Sequence, residues 1–312
     1  PDQALEFLIR SGYTPEGTII QTGRSFLATI QKDELTYLFK IGRSAEVSTL
    51  LENESTWYLK MNQLPNKLSL YIPKLIDSGT LETGEYWLIR EYIPESGKIS
   101  DGDTRFLRAD FETDYLKRTV DFLLELPGIS IELPNDTQLP KLTDLEFGFY
   151  KYQGKSEINN YVKKMAAYQA AKINYPSETL LSIIDEAEFT DTCLTYSDFK
   201  PWHFYAHGHE LALIDAESVN NLEPLHSDLA SYYTRMITIL NREELATKIL
   251  EQYVEGWSGN RAQFFAQFRA LVARNAADEL QDATRHNRVS AGNQRLMELV
   301  LSGSFLKDSA QR

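Results

Sequence analysis

Hydrophobic and polar positions change their rhythm about a third of the way along the chain. Residues 18–42, "TIIQTGRSFLATIQKDELTYLFKIG", hold apolar and β-branched runs broken by Thr22-Gly23 and by the polar "QKDE", the pattern of successive hairpin strands. Leu35, Tyr37, Phe39 and Ile41 alternate with Thr36, Leu38 and Lys40, which assigns Lys40 to one defined face of the last strand. Residues 75–93, "LIDSGTLETGEYWLIREYI", predict a further hairpin turning at Thr83-Gly84. Between them, Val47, Leu50, Leu51, Tyr58 and Met61 recur at helical spacing in a segment that ends before Pro65. Glu54 falls inside that apolar stripe, four residues after Leu50 and four before Tyr58. A carboxylate on an inward face must meet a cation or give up its charge, and Lys40 on the preceding strand is the candidate partner.

Beyond the Pro-, Gly- and Ser-containing run "EYIPESGKISDGD", read as a linker, helical periodicity dominates. Helices are predicted in "FETDYLKRTVDFLLEL", "SEINNYVKKMAAYQAAK", "SETLLSIIDEA", "DLASYYTRMITIL", "EELATKILEQYVEGW", "RAQFFAQFRALVARNAADEL" and "NQRLMELVLSG". The predicted organisation is a strand-rich domain over 1–94 and a mainly helical one over 95–312. One irregular island, from about Thr192 to Asn221, holds two short apolar runs, "CLTY" and "LALID", among polar turns, and chemistry is expected there.

Composition narrows the function class. A length of 312 residues suits two lobes, and the 42% apolar and 25% charged shares are those of a chain that folds unaided. The net charge of -13 argues against nucleic-acid binding and mildly favours a cationic ligand. Cys193 is the single cysteine, which excludes an intramolecular disulfide and a zinc site built on several thiolates. No stretch has the ~20 apolar residues of a membrane span, and "PDQALEFLIR" lacks the order of a signal peptide, so a cytoplasmic protein is expected.

Within the island Asp198 and Asp215 are 17 residues apart, each at the end of a short apolar run, and a hairpin between them would bring both carboxylates to one cleft. Such a pair suits phosphoryl transfer, one group accepting the proton of an attacking hydroxyl and the other holding Mg2+ against phosphates. Lys200 would neutralise charge on the moving group. The competing reading makes Asp198 and Asp215 ordinary turn residues and Lys40 with Glu54 a structural ion pair. His203, His207 and His209 form an Hx3HxH cluster that suggests a transition-metal site, against the reading that "HGH" is the exposed turn of the hairpin.

"YSDFKPWHF", followed by "LALIDAES" and "PLHSDLA", resembles the aminoglycoside phosphotransferase and choline kinase-like branch of the protein kinase-like fold, whose pattern runs HGDxxxxN, an IDWE-type segment, then DLA. The resemblance implies an α+β bilobal fold: an N-terminal antiparallel-sheet lobe with one helix and a larger, mainly helical C-terminal lobe. It implies Asp198 as catalytic base, Asp215 as metal ligand, Lys40 on the α/β-phosphates, Glu54 holding Lys40, and Asp228 tying down the catalytic loop. Residues 90–93, "REYI", match the hinge, where backbone groups of Glu91, Tyr92 and Ile93 would pair with the base and side chains matter less. Gly23, Arg24 and Ser25 would lie over the phosphates. The implied cofactors are ATP (or GTP) and Mg2+, and the implied partner is a small-molecule hydroxyl acceptor such as an amino sugar, sugar or amino alcohol.

Three departures stand out. Tyr196 and Ser197 replace His and Gly before the base, and the phosphate loop has a single glycine. His203 replaces the Asn that supplies a second metal ligand, and imidazole nitrogen suits Mg2+ poorly. His203 therefore motivates an alternative, a catalytically impaired nucleotide-binding or scaffolding module. The short link from Asp215 to Asp228 leaves no room for the activation segment of a protein kinase.

Overall fold

The computed structural model describes residues 2–137, 177–189, 192–285 and 288–306. The predicted helix over 156–172 lies outside them. Among the described residues, no helix is long and apolar enough to cross a membrane. The described residues form two compact units, the first within Pro1–Ile99, Ser130–Pro140 and His203–Asn220, the second within Ser100–Ile129, Lys141–Trp202 and Asn221–Arg312. This division differs from a single cut at 94/95, because residues 203–220 return to the first unit.

The first unit opens with helix α1 (Asp2–Arg10) and strands β1 (Thr14–Gln21), β2 (Ser25–Lys32) and β3 (Leu35–Gly42). Helix α2 (Ala45–Asn62) and strands β4 (Leu75–Thr80) and β5 (Tyr86–Glu91) follow. The five strands make an antiparallel sheet in the order β1-β2-β3-β5-β4. The β2–β3 turn falls on Asp33 and Glu34, both with positive φ (51° and 63°), the geometry that matches the twist of a two-residue hairpin. Ser44 caps α2 by accepting the amide hydrogen of Val47.

Both sheet faces are covered, which qualifies the alternation read in β3. Phe39, Ile41, Ala28, Ile30, Trp87 and Ile89 pack with Ala4 and Leu8 of α1, a helix the sequence reading did not include. On the opposite face Leu88 packs with Val47 and Leu51 of α2. Lys40 pairs across the strands with Leu27 and Leu88, so it belongs to the α2 face, and it is buried although its neighbours on the other face are buried too. Alternation marks exposure only where one face is wet.

The expected linker is structured, with backbone pairing on both sides of Ile99. Lys98 bridges to Tyr205, and the amide of Ile99 donates to the Phe204 carbonyl at 3.1 Å. A Cβ on Gly97 would lie 2.4 Å from the Ala206 carbonyl oxygen, a reason for glycine there that composition alone does not give.

The second unit contains the short strand pair β6 (Ser100–Asp101) and β7 (Phe106–Leu107), helix α3 (Leu116–Glu125), helix α4 (Ser177–Glu186) and strand β8 (Thr192–Thr195). The hairpin β9 (Phe204–His207) and β10 (Glu210–Leu213) belongs to the first unit, and β11 (Asn220–Pro224) pairs with β8. Four more helices follow among the described residues: α5 (Ser227–Thr238), α6 (Glu243–Gly256), α7 (Arg261–Arg285) and α8 (Ala291–Ser302). Helix α5 packs against α6, α7 and α8 and is buried along most of its length.

His226 precedes α5 in a left-handed conformation (φ 77°), with Nδ1 2.9 Å from the Tyr253 hydroxyl and its ring edge-on to Trp257 and Phe264. Burial lowers its pKa from 6.5 to about 3. The unfolded chain therefore binds the proton more readily, and stability is lost as pH falls below 6.5 towards 3. This histidine is expected to cost about 1.4 kcal/mol of stability per pH unit in that window. Urea unfolding of the parent and of His226→Asn at pH 7.5 and 5 checks it: the variant should lose about 2 kcal/mol less between the two pH values.

Candidate active site

The first unit gathers two of the predicted residues, Glu54 and Asp215, around the ammonium group of a third, Lys40. Lys40, from β3, places Nζ 2.8 Å from Glu54 Oε2, 3.0 Å from Asp215 Oδ1 and 2.5 Å from Glu217 Oε1. Lys40 and Glu54 are buried, whereas the Asp215 side chain is 42% exposed. Burial by itself lowers the lysine pKa, but the three carboxylates outweigh it and hold Lys40 well above its ordinary value. Glu54 is pushed upward by burial, an effect that Lys40 opposes.

The sequence supplies this cluster through local devices. Glu54 lies on the inward stripe of α2, and Tyr58, one turn later, donates its hydroxyl hydrogen to Glu54 Oε1 at 2.9 Å. The same hydroxyl accepts the backbone amide of Asp215 at 3.2 Å, so one tyrosine links the helix to the segment after β10. Asn53, also on α2, donates to the carbonyls of Glu217 and Val219 at 3.2 and 2.8 Å. Asp215 itself adopts φ 73°, a left-handed conformation that short polar side chains tolerate. His203 is buried, with Nε2 3.6 Å from Asp215 Oδ2.

Donor chemistry separates these groups. Glu54, Asp215 and Glu217 bring carboxylate oxygens within 4.8 Å of one another, a set that fits a hard divalent cation such as Mg2+. The imidazole of His203 does not fit that preference. Of the other histidines, His209 is exposed beside Gly208 at the β9–β10 turn, and His207 stacks on Tyr71 at 4.6 Å with Nε2 3.5 Å from Glu91 Oε1. Among the described residues no group of candidate metal ligands includes a histidine.

The remaining predicted residues of this unit lie at the β1–β2 turn and at the end of β5. Gly23 is exposed between β1 and β2, where the Thr22 hydroxyl accepts the amide of Ser25 at 2.9 Å and Ser25 is buried. A Cβ on Gly23 would meet nothing within 4 Å, so no packing demands glycine there. In residues 90–93, Arg90 is buried and donates from Nη1 to the Glu91 carbonyl at 2.8 Å. Glu91 accepts from the Tyr71 hydroxyl and from the Lys74 amide, Tyr92 is half-buried, and Ile93 packs with Tyr205 and Ala212.

Asp198 and Lys200 belong to the second unit. Lys200 Nζ lies 2.6 Å from Asp198 Oδ2, both half-buried. Phe199, fully buried between them, packs on Phe122, Tyr196 and Tyr232, which leaves its two polar neighbours in the turn. Asp228, in the first turn of α5, accepts the amides of Tyr196 at 2.6 Å and Ser197 at 2.8 Å, and burial raises its pKa to about 8 against those two bonds. Ser197 has φ 67°, the conformation a glycine adopts freely, at a cost of about 1–2 kcal/mol for a residue with a Cβ. Its hydroxyl donates to Glu223.

The fold can now be set beside known proteins. Aminoglycoside phosphotransferase APH(4)-Ia superposes with a TM-score of 0.62 over 97% of this chain and 99% of that one, at 11% identity. A thermostable mutant of it, in a ternary complex with ADP and hygromycin B, gives 0.59 over 96% and 98% at 12% identity. The GDP complex of wild-type aminoglycoside 2'-phosphotransferase-IIIa gives 0.57 over 96% and 97% at 14% identity. The chain has the aminoglycoside phosphotransferase fold. No protein-family model and no curated protein matches its sequence.

Within this fold, sequence reasoning missed Glu217, Tyr58 as a bridge, and Asn53. Glu217 was visible as the acidic residue two positions after Asp215 in "IDAE". Tyr58 and Asn53 carried no signal beyond their places on α2.

Removing the cation tests the cluster. Lys40→Met is expected to destabilise the protein by about 3 kcal/mol at pH 8, because Glu54 is left buried without its partner. The loss should shrink as pH falls, because burial pushes the Glu54 pKa upward and an orphaned carboxyl that takes up a proton no longer leaves a bare charge inside; chemical denaturation at pH 8 and at a lower pH measures both.

Proposed function

We propose that the protein is an ATP- (or GTP-) and Mg2+-dependent phosphotransferase that phosphorylates a hydroxyl of a small molecule, of the amino sugar, sugar or amino alcohol class. The observation that carries this reading is Lys40, held by Glu54 from α2 and by Asp215 from the segment after β10, within the aminoglycoside phosphotransferase fold. A buried lysine kept charged and fixed in place suits the α- and β-phosphates of a nucleotide, and catalysis of this kind rests on positioning and charge neutralisation. In this reading residues 1–94 bind nucleotide and residues 95–312 supply the catalytic loop and acceptor pocket, with the peptide groups of residues 91–93 pairing with the base and Gly23 and Ser25 contributing to the phosphate loop. The acidic chain, at -13, favours a cationic acceptor.

Asp215 and Glu217 would hold Mg2+, to which His203 would contribute weakly or through water. Bound there, the ion would offset negative charge on the phosphates. Asp198 orients the acceptor hydroxyl and takes its proton as the hydroxyl oxygen bonds to the γ-phosphorus and the bond to the nucleoside diphosphate breaks. Lys200, paired with Asp198, offsets charge on the transferred group. Asp228 fixes the loop through the amides of Tyr196 and Ser197.

A coupled ADP assay over a panel of amino sugars and amino alcohols, run beside nucleotide-binding titrations, tests this. Asp198→Asn is expected to lower turnover about a thousandfold while nucleotide affinity stays within about twofold. Equal loss of both would identify a folding residue instead. His203→Asn should preserve or raise Mg2+-dependent turnover, since amide oxygen suits the ion better than imidazole nitrogen. A parent protein that binds nucleotide without turnover on any acceptor would favour the scaffolding alternative.

A further inference from the structure

The carboxylate of Glu217 lies between two cations. Its Oε1 is 2.5 Å from Lys40 Nζ, closer than either Glu54 or Asp215, and its Oε2 is 3.6 Å from Nη1 of Arg24 in the β1–β2 turn. Glu217 is buried at 8% exposure, and its backbone is pinned by Asn53, so the side chain is held at this position. Lys40 and Arg24 are also the cations that a nucleotide's phosphates would use. A glutamate seated between them is a built-in anion that competes with phosphate for the same donors and repels it by like charge.

We infer that Glu217 makes nucleotide binding conditional on a divalent cation. The inference rests on the kinase reading above and adds a task for one residue within it. Without a cation, phosphate and carboxylate contest Lys40 and Arg24, and the nucleotide binds weakly. With one, the carboxylate has a partner of its own, and like-charge repulsion becomes shared attraction to the ion. The nucleotide that enters productively is then the metal complex, and the bare triphosphate is discriminated against.

Calorimetric titration of the whole chain with ADP, in EDTA and in Mg2+, reads this directly and needs no turnover. The parent should bind ADP far more tightly with Mg2+. Glu217→Gln should bind metal-free ADP about tenfold more tightly than the parent, equivalent to about 1.4 kcal/mol, and its Mg2+ enhancement should contract by at least that factor. If circular dichroism finds that variant unfolded, Glu217→Asp replaces it, and its shorter carboxylate should give a smaller shift in the same direction. A variant that binds metal-free ADP no better than the parent, while the parent binds Mg-ADP, overturns the inference and leaves the kinase reading standing. A parent that binds ADP under neither condition overturns both.

Discussion

One buried ammonium group organises the first unit. Lys40 is surrounded by Glu54, Asp215 and Glu217, and none of these carboxylates is near it in sequence. Burying a lone lysine or a lone glutamate is costly, so the strand, the helix and the segment after β10 must come together for any of them to be tolerated. Tyr58 adds a neutral brace by donating to Glu54 while accepting the amide of Asp215. The arrangement has more negative than positive charge at its centre, which suits an additional cation and which a purely structural ion pair would not require.

The second unit meets a different constraint. The turn that carries Asp198 is fixed from below by aromatic packing of Tyr196 and Phe199 and from the side by the carboxylate of Asp228. Neither device touches the Asp198 side chain, which is thereby positioned without being consumed by its supports. The bond between Lys200 and Asp198 is the exception, and it pairs that carboxylate with a cation from its own turn.

Much of this was legible in the sequence, and the gaps have physical causes. Strand alternation and the stripe on α2 announced the sheet, the helix and the Lys40–Glu54 pair, because a charged residue on an apolar face demands a partner. The helices α3 to α8 that fall on predicted segments followed from their 3.6-residue period. Helix α1 escaped notice because it is only 9 residues long and its buried stripe is essentially Ala4 and Leu8. The run 91–103 looked like a linker because Pro, Gly and Ser also build close backbone approaches, as Gly97 does against Ala206. Glu217, Tyr58 and Asn53 reach their partners in the cluster across contacts more than 150 residues apart, and no local pattern encodes those.

The manner in which Asp228 holds its loop reaches beyond this molecule. It grips peptide groups, which every residue except proline provides, so these two bonds themselves do not depend on which side chains stand at 196 and 197. A scaffold fastened through its main chain in this way can shed nearly all recognisable spelling and still present the same acid at the same bend.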